Sequence, residues 1–258
     1  MSIWQVIILS IVEGLTEFLP ISSTAHLMVG AHLLGLPNSD FIKSFEIFIQ
    51  LGAILAVVMV YWRRLVSNFG LIKKVLLAFI PTALIGFLAY PFVKNILLES
   101  LSTVAWALFI GGLILILFEW WYEKTQGKEA GRSLDSLTYG ECLVLGLVQS
   151  LAIIPGVSRA GATIVGGLGL GFSRRAIVEF SFLLALPTMI AATGYDLLKG
   201  GLNFGGNETS VLFSGFLLSF LFAWVAVKWL IGFIEQHSFV WFGVYRIVLA
   251  ILIVLLIL

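Results

Sequence analysis

The sequence predicts an all-α protein that crosses a membrane several times, and two observations carry this prediction. First, 60% of the 258 residues are Ala, Val, Ile, Leu, Met, Phe, Trp, Tyr or Cys, and only 11% are Asp, Glu, Lys or Arg, against about 25% charged residues in a typical soluble domain. Second, the apolar residues form long stretches separated by polar segments. A soluble fold of this length could not bury so much apolar surface, so the composition excludes a soluble globular protein and a disordered chain.

The charge balance and the cysteine count exclude further classes of protein. With 15 basic and 14 acidic residues the formal net charge is +1, which gives no electrostatic support to nucleic-acid binding. Cys142 is the single cysteine, so the sequence predicts neither an intrachain disulfide nor a cysteine-based metal cluster.

Six apolar stretches match the ~20 residues that a helix needs to cross the hydrocarbon core of a bilayer. We predict a transmembrane helix in each of them: 44–62, 71–92, 101–122, 176–197, 211–233 and 239–258.

Two further apolar stretches are interrupted in the middle. Residues 3–36 are split at Pro20 and residues 139–172 are split at Pro155. Proline in mid-stretch ends a helix, and each half has roughly 13–17 residues, which is short for a crossing. We therefore predict two re-entrant helix hairpins, each of which enters and leaves the membrane on the same side.

The distribution of basic residues predicts the orientation of the chain. If the first hairpin enters from outside and six helices then cross, ten basic residues fall on the cytoplasmic side: Arg63, Arg64, Lys73, Lys74, Lys124, Lys128, Arg132, Arg174, Arg175 and Lys228. Three fall outside: Lys43, Lys94 and Lys199. The first hairpin is therefore predicted to open toward the periplasm or cell exterior. The count is the same if each hairpin is instead two full crossings, so it leaves both alternatives open.

The two interrupted stretches resemble each other at an offset of 136 residues, with Ser22 over Ser158 and Glu13 over Gln149. Three predicted helices follow each hairpin, and because three is odd the second hairpin must enter from the opposite face. Two hairpins that enter from opposite faces meet near the midplane, as in inverted-repeat transporters.

These patterns together predict one integral membrane domain over residues 1–258. It is built from a first inverted repeat at 1–122 and a second at 139–258, each a re-entrant helix hairpin followed by three transmembrane helices.

The first break carries charged side chains, which cost about 2.5–3.5 kcal/mol each at the bilayer centre on insertion scales. Glu13 and Glu17 lie four residues apart, hence on one helix face, and His26 follows the break. Between them lies a run of hydroxyls: Ser22, Ser23 and Thr24. Two carboxylates, an imidazole and hydroxyls can supply a general base, metal ligands or a nucleophile.

The second break has the composition of an anion-binding loop. Pro155 and Gly156 lead through Ser158 and Arg159 into an apolar run that contains Thr163. A helix N-terminus offers free N–H groups and a positive dipole end, which suit a phosphate, and a guanidinium can hold two phosphate oxygens. Arg159 can also form an ion pair with a glutamate of the first break, and a phosphate between them would reconcile both roles.

Other embedded polar residues have open interpretations. Glu46 and Gln50, four residues apart, line either the site or an outer vestibule. Glu179 follows Arg174 and Arg175 early in its helix and is predicted to form an interfacial ion pair. Arg246 in the last apolar stretch either pairs internally or marks an oligomer contact.

Both breaks resemble signatures of one known family. Residues 13–26, EGLTEFLPISSTAH, closely resemble the first signature of the bacterial undecaprenyl-diphosphatases, the BacA/UppP bacitracin-resistance family. Residues 155–163, PGVSRAGAT, resemble its second signature, with Ala160 where many members have serine. The resemblance extends over the whole chain.

This resemblance implies an enzyme of the bacterial cytoplasmic (inner) membrane that hydrolyses undecaprenyl diphosphate to undecaprenyl phosphate and inorganic phosphate. Such an enzyme recycles the lipid carrier of peptidoglycan synthesis and confers bacitracin resistance. The resemblance also implies an inverted repeat, an often dimeric protein, a site that faces the periplasm, and dependence on a divalent cation, Mg²⁺ or Ca²⁺.

Combining the residues with the resemblance, we predict the catalytic set Glu13, Glu17, Ser23, His26 and Arg159. The substrate-binding set is predicted to be Ser22, Thr24, Gly156, Ser158 and Thr163. Glu13 and Glu17 are predicted to hold the divalent cation.

The nucleophile stays open at this point. Attack by Ser23 or Ser22 with His26 as its partner is favoured, but His26 could attack directly, or a carboxylate could activate water. The rival function is a lipid-phosphate flippase, because inverted repeats with broken helices are also the layout of alternating-access transporters. A flippase would move the lipid without releasing phosphate.

Overall fold

A computed structural model of the chain describes residues 1–37, 39–92, 100–126, 131–200 and 206–258. Within these ranges the protein is all-helical, with no β-strand beyond one isolated bridge between Arg132 and Phe172. The described α-helices are α1 Ile3–Thr16, α2 Ser23–Leu33, α3 Asp40–Ser67, α4 Phe69–Phe92, α5 Leu101–Gln126, α6 Tyr139–Ser150, α7 Arg159–Gly169, α8 Arg174–Gly200, α9 Gly206–Gln236 and α10 Val240–Leu256.

Five of the described helices are long and apolar enough to cross a membrane: α3, α4, α5, α8 and α9. They confirm that this is a multi-pass membrane protein. The sixth predicted span, 239–258, is the 17-residue helix α10, about 26 Å long at 1.5 Å per residue. It lies at the short end of the range for spanning helices. Lys94 and Lys128, which enter the count of basic residues, lie outside the described residues, as does the side chain of Lys199.

Both interrupted stretches consist of two short helices, and proline explains where the first helix of each pair ends. A proline ring clashes with the carbonyl of the residue four positions earlier and provides no N–H donor. Four residues before Pro20 is Thr16, the last residue of α1. Four residues before Pro155 is Leu151, where α6 gives way to a 3-10 turn over Leu151–Ile153. The segments 17–22 and 151–158, here called the first and second break, therefore interrupt their stretches at positions set by proline.

Apolar side chains of the first break anchor it in the main core. Phe18 is fully buried, and its ring meets that of Phe182 on α8 edge to face, with the centroids 5.3 Å apart. Ile21 belongs to the same cluster, which also contains Ala160 and Ile164 of α7. The core therefore holds the first break against the helix that follows the second break.

The outer surface of the helices is apolar. Phe69, Leu88 and Leu256 are among many large apolar side chains that are exposed. In water such a surface would drive aggregation, whereas lipid is its natural solvent. The surface thus agrees with the membrane assignment from composition.

Candidate active site

A cavity of about 230 Å³ lies between the two breaks. The breaks and the first turns of the helices that follow them line it with Glu17, Ser22, Ser23, Thr24, Ser158 and Arg159. A larger cavity of about 350 Å³ lies between α3, α4 and α8, and its lining is apolar except for Arg64 at one end. Because acids, hydroxyls and a guanidinium converge only in the smaller of these two, we take it as the candidate active site.

Glu17 of the first break binds the first residue of each helix that follows a break, Ser23 of α2 and Arg159 of α7. One of its carboxylate oxygens, Oε1, accepts a hydrogen bond from Nη2 of Arg159 at 3.0 Å, while Oε2 accepts a short hydrogen bond from the Ser23 hydroxyl. The side chains of Arg159 and Glu17 are only 10% and 5% exposed. Nη1 of Arg159 donates to the Ser181 carbonyl at 2.9 Å. The ion pair predicted between Arg159 and the first break is therefore present, and Glu17 is its partner.

One N–H donor of the Arg159 guanidinium makes no hydrogen bond to the described residues. Its Nε is buried and has no hydrogen-bond partner among the described residues. Buried donors without a partner are rare in native proteins. An anion that enters the cavity would satisfy this one.

The backbone at Ser22 holds an unusual conformation. Its φ is 72°, in the left-handed region, and its side chain makes no capping hydrogen bond to α2. A non-glycine residue there costs energy and often marks a functional site. The turn places Ser23 at the first position of α2, where backbone N–H groups lack helical partners and favour an anion.

The second break reaches its helix in a relaxed conformation. Ser158 has φ −71°, and its hydroxyl accepts a hydrogen bond from the Gly161 N–H at 3.0 Å, as an N-cap does. The positive φ of this break, 94°, falls on Gly156. A Cβ there would also lie 2.7 Å from the Val104 carbonyl oxygen, so only glycine fits.

The Ser158 hydroxyl also lies 3.3 Å from the Leu19 carbonyl, to which it donates. This contact is a second direct link between the breaks, beside the ion pair of Glu17 with Arg159.

Glu13 is fully buried, and neither of its carboxylate oxygens has a hydrogen-bond partner among the described residues. Its charged neighbours are Glu17, Glu46 and Arg159. A buried carboxylate left unsatisfied is costly. Glu13 and Glu17 offer hard oxygen donors that suit Mg²⁺ or Ca²⁺ bound jointly with substrate phosphates. No group of three or more His, Cys, Asp or Glu side chains with metal-binding geometry occurs among the described residues.

His26 is held away from Ser23. Its Nδ1 lies 2.7 Å from the Ser22 carbonyl oxygen and its Nε2 lies 2.7 Å from the Tyr245 hydroxyl. The rings of His26 and Tyr245 are parallel, with centroids 5.6 Å apart. In the described part of the chain the Ser23 hydroxyl is bonded to Glu17, not to His26.

Thr163 lies behind the second break and does not line the cavity. It is fully buried, and its hydroxyl donates to the Arg159 carbonyl at 3.0 Å. Gly156 likewise contributes no lining side chain. Both were predicted to bind the substrate, and neither lines the cavity.

Four polar side chains complete the cavity wall: Gln50, Thr82, Gln149 and Thr188. Nε2 of Gln149 donates to the hydroxyls of Thr82 and Thr188 at 3.0 and 3.2 Å. The sequence pattern left the place of Gln50 open, and none of the other three was predicted to belong to the site. The one signal for Gln149 was its alignment with Glu13 in the repeat.

Glu179 forms the ion pair that was predicted for it, and its partner lies on another helix. Glu179 pairs with Arg64 on α3 at 2.5 Å, although Arg174 and Arg175 precede it on its own helix. Arg174 instead pairs with Glu119 on α5 at 2.6 Å. The partners of Glu179 and Arg174 are therefore determined by which helices pack together, and not by proximity in sequence.

Comparison with known proteins places these features in a family. A family model described as "Bacitracin resistance protein BacA" matches residues 6–252. A protein named undecaprenyl-diphosphatase from Aquifex aeolicus is 48% identical, over 96% of this chain and 96% of its own length. Proteins of the same name from Wolinella succinogenes and Bdellovibrio bacteriovorus are 50% and 46% identical, over 98% and 99% of this chain and 97% and 96% of their own lengths.

Proposed function

This chain belongs to the bacitracin resistance protein BacA family, and we propose that it hydrolyses undecaprenyl diphosphate to undecaprenyl phosphate and inorganic phosphate. The observation that carries the proposal is the double contact of Glu17, with the Ser23 hydroxyl on one side and the Arg159 guanidinium on the other. A hydroxyl bonded to a carboxylate beside a phosphate-binding cation is an arrangement for phosphoryl transfer.

The diphosphate would enter the cavity between the breaks while its polyprenyl tail stays in contact with lipid. Arg159 faces it with an unpaired Nε donor, and α2 and α7 both direct their N-termini to this region. Free N–H groups and positive helix ends stabilise the negative charge of the transferred phosphoryl group. The donors are held in place before the reaction, so little reorganisation is needed.

Ser23 is the nucleophile in this proposal, with Glu17 as its proton acceptor. The Ser23 oxygen forms a bond to the terminal phosphorus, the bond from that phosphorus to the bridging oxygen breaks, and undecaprenyl phosphate leaves. Water then releases phosphate from the serine. The hydrogen bond between Ser23 and Glu17 supports this pairing over one with His26. His26 supports the turn through the Ser22 carbonyl.

A divalent cation, Mg²⁺ or Ca²⁺, would be held by Glu13 and Glu17. When bound it would supply positive charge to the phosphate oxygens. The two oxygens of Glu13 without hydrogen-bond partners support this assignment.

We further propose the arrangement that the sequence predicts for the membrane. Residues 1–258 form one domain of two inverted repeats, 1–122 and 139–258, whose re-entrant hairpins bring the breaks together. The domain lies in the cytoplasmic (inner) membrane as a homodimer, with its site open to the periplasm. There it would recycle the carrier lipid of peptidoglycan synthesis and confer bacitracin resistance.

The first experiment measures phosphate release by the purified protein from undecaprenyl or farnesyl diphosphate. Glu17→Ala, His26→Ala and Arg159→Ala are compared with Glu141→Ala, which removes a carboxylate paired with Arg132 outside the cavity. We expect release by the wild type and the control, and strong loss in Glu17→Ala and Arg159→Ala. No release from folded wild-type protein would contradict the proposal and favour the flippase.

A second experiment identifies the nucleophile. We expect mass spectrometry of rapidly quenched protein to find phosphoserine in the peptide that contains Ser22 and Ser23, and to find none in Ser23→Ala. Phosphohistidine at His26 would contradict this assignment.

A further inference from the structure

Arg246 on α10 binds both breaks through backbone carbonyls. Its Nη1 donates to the Pro20 carbonyl at 3.2 Å, and its Nη2 donates to the Gly156 carbonyl at 3.1 Å. Two further donations reach α5, from Nη2 to the Ala107 carbonyl at 3.1 Å and from Nε to the Leu108 carbonyl at 3.4 Å. One guanidinium thus joins three separate segments of the chain.

The two bound carbonyls occupy equivalent places in the repeat. Pro20 and Gly156 are separated by 136 residues, the offset at which the two breaks align. Three residues after them come Ser23 and Arg159, the two side chains that Glu17 joins. In each break, the carbonyl that Arg246 binds therefore lies three residues before a side chain that contacts Glu17.

No carboxylate pairs with Arg246 in the described part of the chain, although the residue is only 3% exposed. Burying a cation without a counter-ion is costly unless its donors are all satisfied. A flexible ammonium could not replace it, because lysine presents three donors from one point, whereas arginine spreads five in a fixed plane.

Glycines make room for this arrangement. A Cβ at Gly111 would collide with the Arg246 guanidinium, whose Cζ would lie 2.8 Å away. A Cβ at Gly112 would lie 2.7 Å from the Gly243 carbonyl oxygen, so α5 and α10 approach closely at this level. Because α5 and α10 pack closely here, the Arg246 side chain of α10 is near enough to bind the carbonyls of both breaks.

We propose that Arg246 is a positioning residue that fixes the two breaks relative to each other and so aligns Ser23, Glu17 and Arg159 for phosphoryl transfer. This inference rests on the proposed function. Arg246 touches none of the reacting atoms and acts through the Pro20 and Gly156 carbonyls. Losing it would leave the Pro20 and Gly156 carbonyls without this donor and let the breaks shift.

The test combines kinetics with an exchange measurement on the purified full-length protein. In Arg246→Ala we expect kcat for phosphate release to fall about 10²-fold, the cost of roughly 1 Å of misplacement, with KM little changed. Guanidinium ion added to this variant should restore part of the lost kcat. Arg246→Lys should stay well below the wild type.

Two variants test whether kcat depends on the position of the Arg246 guanidinium, rather than on its charge or on the stability of the protein. Gly111→Ala keeps the arginine but displaces its guanidinium, and we expect it to lower kcat without response to guanidinium ion. Alanine favours a helix over glycine by about 1 kcal/mol, so helix propensity would not cause the loss. Arg174→Gln is the matched control, because it removes a partly buried arginine that binds Glu119 on α5 and does not line the cavity. It should lower the melting temperature and leave kcat unchanged.

Hydrogen–deuterium exchange provides a readout that does not depend on activity. In Arg246→Ala, peptides that cover residues 17–23 and 154–159 should exchange faster than in the wild type, while peptides from α9 stay unchanged. Wild-type kcat in folded Arg246→Ala, or exchange that rises equally along the whole chain, would overturn the inference. If the wild type releases no phosphate, the proposed function fails, and the exchange pattern alone still decides whether Arg246 clamps the breaks.

Discussion

The first break enters α2 through Ser22 at φ 72° with no side-chain cap, whereas the second enters α7 through Ser158 at φ −71° with its hydroxyl bonded to the Gly161 N–H. The two serines align in the repeat, yet one backbone is strained and the other relaxed. In the second break the positive φ falls on Gly156, which tolerates it. The first break is strained beside Ser23, and the second is relaxed and capped where it enters α7.

This difference teaches how one pattern can serve two roles. A capped, relaxed helix start holds its N–H groups and Arg159 ready for an anion. An uncapped, strained turn leaves the hydroxyl of its next residue free to bond a carboxylate, as Ser23 does with Glu17. We infer that the first break carries the chemistry and the second break binds the phosphate.

Glu17→Gln would break the connection between the two halves and should have the largest effect. The amide keeps the size of the side chain but is a poor proton acceptor and loses the ion pair with Arg159. We expect kcat for phosphate release to fall by about 10²–10⁴-fold, the range for a lost general base. Glu141→Gln, in the exposed pair with Arg132, is the control. Activity within a few-fold of the wild type would contradict the role of Glu17.

Arg159→Lys tests the binding half by itself. Lysine keeps the charge but loses the planar guanidinium, which donates to Glu17 and to the Ser181 carbonyl and carries the unpaired Nε donor. We expect kcat/KM to drop by about 10²-fold or more, as for loss of one transition-state donor. Steady-state kinetics with farnesyl diphosphate would measure it. Full activity in the lysine variant would mean that charge alone suffices.

Metal removal tests the acidic side of the first break. EDTA should lower phosphate release, and Mg²⁺ or Ca²⁺ should restore it. In Glu13→Gln the cation concentration for half-maximal activity should rise at least about tenfold, since even an outer-shell partner of a metal contributes that much. Isothermal titration of the cation into the protein provides an independent readout. Unchanged cation dependence in this variant would assign Glu13 another role.

Ser22→Gly and Ser158→Ala should shift the melting temperature in opposite directions, which is the smallest of the expected effects. Glycine at position 22 removes a backbone strain of about 1–3 kcal/mol, so the protein should become more stable. Alanine at position 158 removes an N-cap that stabilises a helix by about 1 kcal/mol. For a chain of this size, each kcal/mol shifts Tm by about 2–4 °C. Thermal scanning of both purified variants checks the signs, and two shifts of the same sign would remove the distinction between the breaks.

Much of the helical layout follows from the sequence because its causes are local. Pro20 and Pro155 end helices by removing one donor and clashing with one carbonyl, and α1 and α6 end four and five residues before them. Hydrophobic length identified five of the long helices. The helix start at Ser158 likewise follows from residues 155–161 alone.

Several side chains that line the cavity, among them Glu17, Ser23 and Arg159, were anticipated from the sequence, but not all of their pairings were. Arg159 was expected to form an ion pair with Glu13 or Glu17, and it pairs with Glu17. His26 was favoured as the partner of Ser23, whereas the Ser23 hydroxyl is bonded to Glu17, because the position of His26 depends on where α10 lies. Tyr245 on that helix occupies Nε2 of His26, and it comes 219 residues later in the chain.

The sequence by itself determined the membrane class, the two breaks and the residue types gathered in them, because hydropathy, proline geometry and capping act within a few residues. Only the tertiary structure decided which buried polar groups meet. It joined Glu17 to Ser23, assigned Arg64 to Glu179, and set Arg246 against the Pro20 and Gly156 carbonyls. Such choices depend on how whole helices pack, since a buried donor takes whichever acceptor the packing brings within about 3 Å.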